Sequence, residues 1–387
     1  MMTFTKTLAL VAALQSGDGL PDWLEQAPKA FEEARDELVQ RLEAVDGVVV
    51  EVQPIPTYTE EERAALLEAQ KASLHSVGVR GESGDVVAET QVAEMVVQAA
   101  GENVVAVLPG TVAPEDGARR LLVAASLGTP GLRVGCLDGW TGCALLAELC
   151  AYFQAHPIQH TLVFVGCGGE ALGHRGAAVY AAALTDEEVA CLDAALFVQG
   201  FGSSGLHAWV AGSERGAMLT AKYVAHQTQT PVEFRHFADL GVPGGMTALL
   251  AARSVPGLFL DGVEDAHLLQ LRTLEDNPAL LKPKEVERTV RFVQEYVKEL
   301  DGLEQPLSWE GALARYELSE RDAKGLLPTM RYRLRGQHGI QELGSGAPIP
   351  NTILKAEAEV TKSPSDDRKG PSPSASKKKR ADDEKLP

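Results

Sequence analysis

The spacing of hydrophobic residues divides the middle of the chain into short apolar segments and longer amphipathic ones. The apolar segments predict strands, and they read NVVAVLPG, RRLLVAAS, HTLVFVGCG, DAALFVQG, GLHAWVAG and GLFLDG. Between and after these strands, the hydrophobic residues are spaced as in amphipathic helices. They predict helices at about 141–155, 174–184, 214–227, 245–253 and 283–300. Alternation of this kind is typical of a three-layer αβα fold with a mostly parallel central sheet.

The pattern differs on either side of this α/β region. Before it, we predict a helix over 21–45, a strand at GVVVEVQ, and helices over about 60–74 and 86–99. After Gly302 the pattern weakens, with one more helix at WEGALARYELSERDAKGLLP and a short strand at MRYRLRG. The changes predict an N-terminal extension over 1–75, an α/β domain over 76–302, a C-terminal extension over 303–361 and a tail over 362–387. The tail is rich in Pro, Ser and charge and has few apolar residues, so we expect it to be disordered.

The net charge of the chain limits the classes of partner that we expect it to bind. It has 387 residues with 36 Lys and Arg against 54 Asp and Glu, a net charge of -18. An acidic protein repels nucleic acid and anionic lipid, so we expect neither as a partner, except for weak nucleic-acid contact through the basic run Lys377–Arg380. The longest apolar stretch, Thr7–Leu14, is far shorter than the roughly 20 residues of a membrane span.

The cysteines and the N-terminal residues indicate the cellular compartment in which we expect the protein. The five cysteines are odd in number and form no CxxC motif, which argues against a disulfide framework or a structural zinc site. They suit a reducing cytoplasm. Thr7–Leu14 follows Lys6 without an A-x-A cleavage site, so an amphipathic first helix is favoured over a signal peptide. We therefore predict a cytoplasmic protein, with secretion as the alternative.

Three glycine-rich strand ends are the candidate positions for chemistry. Ligands of open α/β sheets bind beyond the carboxyl ends of the strands. RRLLVAAS leads to a turn that contains Asp138, HTLVFVGCG leads to Glu170, and DAALFV leads to Gln199. A carboxylate in such a place can act as a general base. For the glycines alone, tight packing between strand and helix is the simpler explanation.

The order of these motifs resembles peptidase family M28, the co-catalytic zinc aminopeptidases related to glutaminyl cyclases. The resemblance covers roughly residues 76–300. GENVVAVLPG is similar to the family's NVvA-lpG strand, GCLDGWTGCALLAELC to its GADDnaSGvaalLElA motif, and TLVFVGCGGEALGHRGAAVY to the strand that ends in Glu-Glu. SVPGLFLDG and LQLRTLEDNP take the places of the GiPa strand and the iHT--DT segment. The resemblance implies a zinc-exopeptidase, phosphorylase/hydrolase-like architecture.

The resemblance also implies where the catalytic and metal-binding residues would fall. The bridging aspartate and the general-base glutamate are kept, as Asp138 and Glu170. The other family positions carry Ser126 for the first histidine, Gly128 for the aspartate that orients it, Ala171 for the metal glutamate, Gln199 for the next aspartate and Arg272 for the last histidine. One carboxylate does not hold zinc where three or four protein ligands are needed. We therefore expect no metal and no cofactor, with zinc as the alternative.

These departures favour a non-catalytic homologue, a pseudopeptidase. We expect it to bind a peptide or protein partner, or a second copy of itself, through a cleft at Ser126, Asp138, Gln199 and Arg272, with Glu170 as a vestigial base. We further expect Arg272 to pair with Asp138 or Glu170. Two alternatives stay open: an active zinc aminopeptidase with displaced ligands, and a hydrolase that uses Cys167 near Glu170 and His174.

Overall fold

A mixed eight-stranded sheet forms the centre of the protein. The computed structural model describes residues 24, 27–57, 59–61, 64, 101–113, 119–130, 134–170, 174–210, 215–236, 245–267, 270–271, 274–303, 307–321, 323, 332–336 and 339–343. The strands of this sheet are β1 (Val49–Pro54), β2 (Glu102–Leu108), β3 (Arg120–Gly128), β4 (Thr161–Gly168), β5 (Leu192–Val198), β6 (Leu206–Val210), β7 (Val232–His236) and β8 (Gly257–Asp261). A two-stranded antiparallel sheet is formed by β9 (Tyr332–Gly336) and β10 (Gly339–Leu343).

The strand order of the large sheet is β1-β2-β4-β3-β5-β8-β6-β7. The four central strands β4, β3, β5 and β8 run parallel to one another. Antiparallel pairs join β2 to β4 and β1 to β2 on one side, and β6 to β8 on the other, while β7 is parallel to β6. The predicted parallel arrangement therefore holds for the centre, and the flanks make the sheet mixed.

Helices cover both faces of the sheet. They are α1 (Phe31–Glu43), α2 (Thr141–Ala155), α3 (Arg175–Ala183), α4 (Asp186–Ala190), α5 (Arg215–Thr228), α6 (Gly245–Ala251), α7 (Pro283–Asp301) and α8 (Trp309–Arg315). On β3, Leu121 and Val123 pack in the core with α1, α2, α5 and α7, while Leu122 and Ala124 pack in a second core with α3 and α6. Side chains of a strand alternate between faces, so a strand apolar throughout needs helices on both sides. The three-layer αβα prediction is confirmed.

Two predicted helices are shorter than expected. Residues 27–30 are not helical, so the helix predicted over 21–45 is interrupted before α1 begins at Phe31. Pro28 accounts for this, because proline has no N–H and clashes with the preceding turn of a helix. The helix expected from Trp309 onwards ends at Arg315, and Glu317 adopts a left-handed φ of 52° that is incompatible with a continuing helix.

Several predicted segments lie outside the described residues. Glu60, Glu61 and Ala64 are helical as expected, but the rest of the helix over 60–74 is not described. The predicted N-terminal helix, the helix over 86–99 and the tail also lie outside the described residues. The boundaries of the four predicted regions therefore stay predictions. No helix in the described part of the chain is long and apolar enough to cross a membrane.

A network of charged side chains joins the amino ends of the central strands. His160, just before β4, contacts Asp301 Oδ1 through Nδ1 at 2.6 Å and Asp193 Oδ2 through Nε2 at 2.8 Å. Arg119, just before β3, donates to Asp193 at the start of β5. Asp301, at the end of α7, also accepts from the backbone N–H of His160 and Gln159. The network thus links three strands to α7.

Candidate functional site

The carboxyl ends of three central strands meet at one edge of the sheet. Ser126 of β3 pairs with Cys167 of β4, and Ala125 of β3 pairs with Val198 of β5. Beyond the strands, the N–H of Gly169 donates to the carbonyl of Gly128 at 2.8 Å. Because the strands end together, Ser126, Glu170 and Gln199 lie along the same edge, as the sequence predicts.

Asp138 lies in a turn that packs across this edge. The turn is a short π-helix, Cys136–Trp140, that leads directly into α2. Thr141 Oγ1 accepts from the N–H of Phe201 at 3.2 Å, which ties the turn to the end of β5. A Cβ at Gly200 would lie 1.4 Å from the carbonyl oxygen of Leu137, so only glycine permits this approach. Close packing against the Asp138 turn therefore explains why residue 200 is a glycine.

Asp276 holds the Asp138 turn in place, and sequence reasoning missed this role. Its buried carboxylate accepts from the N–H of Leu137 at 2.7 Å and from the N–H of Asp138 at 3.2 Å. A Cβ at Gly135 would lie 1.8 Å from Asp276 Oδ2, so the turn begins with a glycine. Asp276 belongs to LQLRTLEDNP, where it matches the aspartate of the family's iHT--DT segment, and that match was the available signal.

Ser126, Asp138 and Gln199 are positioned at this edge largely by the backbone. Asp138 and Ser126 are buried, and Gln199 is half-buried. Ser126 Oγ accepts from the N–H of Gly128 at 3.3 Å, and the carbonyl of Ser126 lies 3.0 Å from Cys143 Sγ. The N–H of Gln199 donates to the carbonyl of Leu260 at 2.9 Å.

Both carboxylate oxygens of Glu170 are bound by the chain itself. Oε2 lies 2.7 Å from His174 Nδ1, and Oε1 accepts from the N–H of Ala177 at 3.0 Å. Ala177 is the third residue of α3, a position whose N–H has no partner within the helix. His174 precedes the helix in a left-handed conformation with φ 54° and gives no side-chain cap. Glu170 therefore caps α3, a role that does not depend on catalysis.

Cys167 is a fully buried thiol. Burial raises the pKa of Cys167 well above its ordinary value, and the neighbouring Glu170 and Cys143 raise it further. The thiolate is the nucleophilic form of cysteine, and catalytic cysteines need a low pKa and access to the substrate. The geometry therefore argues against the hypothesis of a Cys167-based hydrolase.

The donor set described at this edge does not fit a zinc centre. Zinc needs at least three protein ligands of the His, Cys, Asp or Glu type. Within the described ranges, no group of three or more such side chains could hold a metal ion. Ser126 and Gln199, which the resemblance places at two of the family's ligand positions, carry a hydroxyl and an amide instead of a His, Cys, Asp or Glu side chain. Ala171 and Arg272 lie outside the described residues, so the expected pairing of Arg272 with Asp138 or Glu170 stays a prediction.

Comparison with known proteins agrees with this architecture. Residues 103–248 match the sequence model of peptidase family M28. An aminopeptidase from Aneurinibacillus sp. strain AM-1 has a TM-score of 0.53 and 13% identity, over 75% of this chain and 93% of that one. No curated protein matches the chain in sequence.

Two further solved structures are less similar. A glutaminyl cyclase from Porphyromonas gingivalis has a TM-score of 0.49 and 11% identity, over 76% of this chain and 98% of that one. A zinc aminopeptidase from Bacillus subtilis has a TM-score of 0.43 and 14% identity, over 52% of this chain and 50% of that one. We infer the fold from the Aneurinibacillus protein alone. Together with the family match, it confirms the resemblance of this chain to family M28.

Proposed function

We propose that the protein is a non-catalytic M28 homologue, a pseudopeptidase that binds a peptide or protein at the carboxyl ends of β3, β4 and β5. The binding of both Glu170 oxygens by His174 and Ala177 carries the proposal, because it gives the retained glutamate a structural purpose. Each oxygen of Glu170 contacts a group at the start of α3, so the carboxylate has a role there whether or not a substrate is present.

The residues at the family's other ligand positions support the same proposal. Ser126 and Gln199 are neutral side chains that can form hydrogen bonds with a peptide backbone. Asp138 supplies a carboxylate suited to a peptide's N-terminal ammonium group. The substitutions therefore replace metal-binding chemistry by hydrogen-bonding chemistry, which suits a binding cleft.

An active zinc aminopeptidase is the second candidate. It is favoured by the match of residues 103–248 to family M28 and by the presence of Asp138 and Glu170 where the family has its bridging aspartate and general base. If it holds, the missing ligands must come from residues outside those described. Asp138 would then be a zinc ligand, and the bound metal would supply an activated water to the substrate.

Metal content and turnover distinguish the two candidates. We expect elemental analysis of the full chain after mild purification to give far less than one zinc per chain. With zinc added, aminoacyl p-nitroanilides should be hydrolysed no faster by the wild type than by Glu170→Gln. Two zinc ions per chain, together with turnover that is lost on chelation, would instead establish the aminopeptidase.

Peptide binding tests the positive half of the proposal. Peptides selected from a random library on the immobilised full chain should bind the wild type and lose affinity in Gln199→Trp, which places a bulky ring at the end of β5. Gln227→Trp is the matched control, because Gln227 is exposed on α5. Selected peptides that bind both variants equally would show that the cleft is not the binding surface.

A further inference from the structure

The strand β1 forms one edge of the large sheet. In the part of the chain that the structure describes, β1 pairs with β2 and with no other strand. All six of its residues are exposed or half-buried, and the apolar Val49 and Val52 are 68% and 39% exposed. An edge strand that exposes apolar side chains is a template on which another strand can pair. The open edge of β1 is therefore a candidate interaction surface.

Every second residue of β1 directs its backbone groups towards this open edge. The register of β1 and β2 continues to Ile55, whose N–H donates to the carbonyl of Gly101 at 2.8 Å. In an antiparallel pair, residues that bond the neighbouring strand alternate with residues whose N–H and C=O point away from it. Because Ile55 bonds the β2 side, the backbone groups of Val50, Val52 and Pro54 point away from β2. Proline has no N–H, so Pro54 offers only its carbonyl.

The polar side chains of β1 favour one register for pairing with a second copy of the strand. Gln53 Oε1 accepts from Asn103 Nδ2 at 3.0 Å, so the amide nitrogen of Gln53 is its group for donating to a partner. Glu51 lies on the same face and is exposed, and it forms no ion pair with another described residue. An antiparallel copy centred on Val52 places each Glu51 opposite a Gln53. A copy centred on Glu51 would instead place two carboxylates opposite each other, which destabilises a strand pair.

We propose that two copies of the protein pair antiparallel through β1, with the two-fold axis of the dimer at Val52. The two Val52 residues exchange backbone hydrogen bonds, and the N–H of each Val50 donates to the carbonyl of Pro54 in the other copy. Each Glu51 accepts from Gln53 of the other copy, and the Val52 side chains shield each other from water. One surface serves both copies, as a two-fold dimer requires. A contact of six residues per copy is small, so the dimer is weak and depends on concentration.

Sedimentation analysis of the full chain over a concentration series tests the proposal. We expect an equilibrium between monomer and dimer. Val52→Asp and Val52→Lys should each weaken the dimer by about tenfold or more, because each places two like charges opposite each other at the axis. An equimolar mixture of the two variants should restore the dimer, since opposite charges then meet. Tyr223→Lys is the matched control, because Tyr223 is also 39% exposed but lies on α5, and it should dimerise normally.

Amide hydrogen exchange tests the register without a substitution. Exchange at Val50 and Val52 should slow as the protein concentration rises, because their N–H groups become bonded only in the dimer. Exchange at Glu51 and Gln53, which bond β2, should be slow at every concentration. A wild type that stays monomeric up to its highest soluble concentration would overturn the proposal. So would a dimer that survives in both Val52 variants, a mixture that stays monomeric, or exchange at Val50 and Val52 that does not depend on concentration.

Discussion

The two ends of the central strands use acidic residues in different ways. At the amino ends, the acidic residues bind basic side chains. Asp193 contacts both His160 and Arg119, and Asp301 contacts His160. At the carboxyl ends, Glu170 and Asp276 accept backbone N–H groups of α3 and of the Asp138 turn. The first arrangement fixes strands to a helix, and the second fixes the turns that follow β3 and β4.

The contacts of Glu170 give this side chain a structural role at the start of α3. Through them it shapes the turn between β4 and α3. Glu170 and Ala177 are seven residues apart in the chain. The carboxylate of Glu170 accepts a hydrogen bond from the backbone N–H of Ala177, which has no acceptor within the first turn of α3. The presence of Glu170 is therefore explained by this contact and does not by itself indicate catalysis.

Asp193→Ala should produce the largest effect. It removes a buried carboxylate and leaves His160 without one of its two acidic partners, a change that typically costs about 3–5 kcal/mol. Urea unfolding should show this loss. The control is Asp186→Ala, which removes the fully exposed partner of Arg253 and should change the free energy of unfolding much less, because solvent screens that pair. Equal losses in both variants would contradict a stabilising network at the amino ends.

Stability should fall at alkaline pH through His160. Asp193 and Asp301 outweigh burial and raise the pKa of His160 from 6.5 to about 9. Because the folded pKa is higher, the contribution is complete below about pH 6.5 and is lost as pH rises through about 9. We expect the free energy of unfolding to drop by about 2–3 kcal/mol between these limits.

The same pH series on the variant His160→Gln tests whether His160 causes the alkaline loss of stability. His160→Gln should remove the drop, since glutamine does not titrate. Asp301, whose pKa is lowered chiefly by hydrogen bonds from His160 despite burial, gives stability that is lost only as pH falls through its acidic range. A wild type and His160→Gln with parallel pH curves would show that another group titrates.

Glu170→Ala tests the carboxyl-end arrangement and should have a moderate effect. It leaves the N–H of Ala177 without an acceptor and frees His174, for an expected loss of about 1–2 kcal/mol. Glu170→Gln retains a carbonyl oxygen for Ala177 and should lose less. A catalytic base would show the opposite pattern, with unchanged stability and abolished turnover in Glu170→Gln.

Truncation after Thr361 should have the smallest effect. The removed residues carry almost no apolar surface, so their loss forfeits little hydrophobic stabilisation. We expect the midpoint of thermal unfolding to stay nearly unchanged relative to the full chain. A fall of several degrees would show that the tail docks on the body of the protein.

The sequence predicts most of the regular elements because each has a local signature. Residues 141–155 were predicted as a helix and form α2, and RRLLVAAS becomes β3. The strand β7 was missed because VEFRH alternates apolar and charged residues over only five positions. The capped helix α4 was also missed, although Thr185 and Glu188 form a capping box that reads directly from the sequence.

The sequence by itself determined the layers and the strand ends that carry Ser126, Glu170 and Gln199, because both follow from hydrophobic periodicity, which is a local property. The residue types expected at zinc-binding positions follow instead from the resemblance to family M28. Only the tertiary structure decided the mixed strand order, the burial of Cys167 and the partners of Glu170. It also revealed Asp276, whose contact with Leu137 spans 139 residues. Such contacts arise from how the chain crosses over in space, for which local spacing carries no signal.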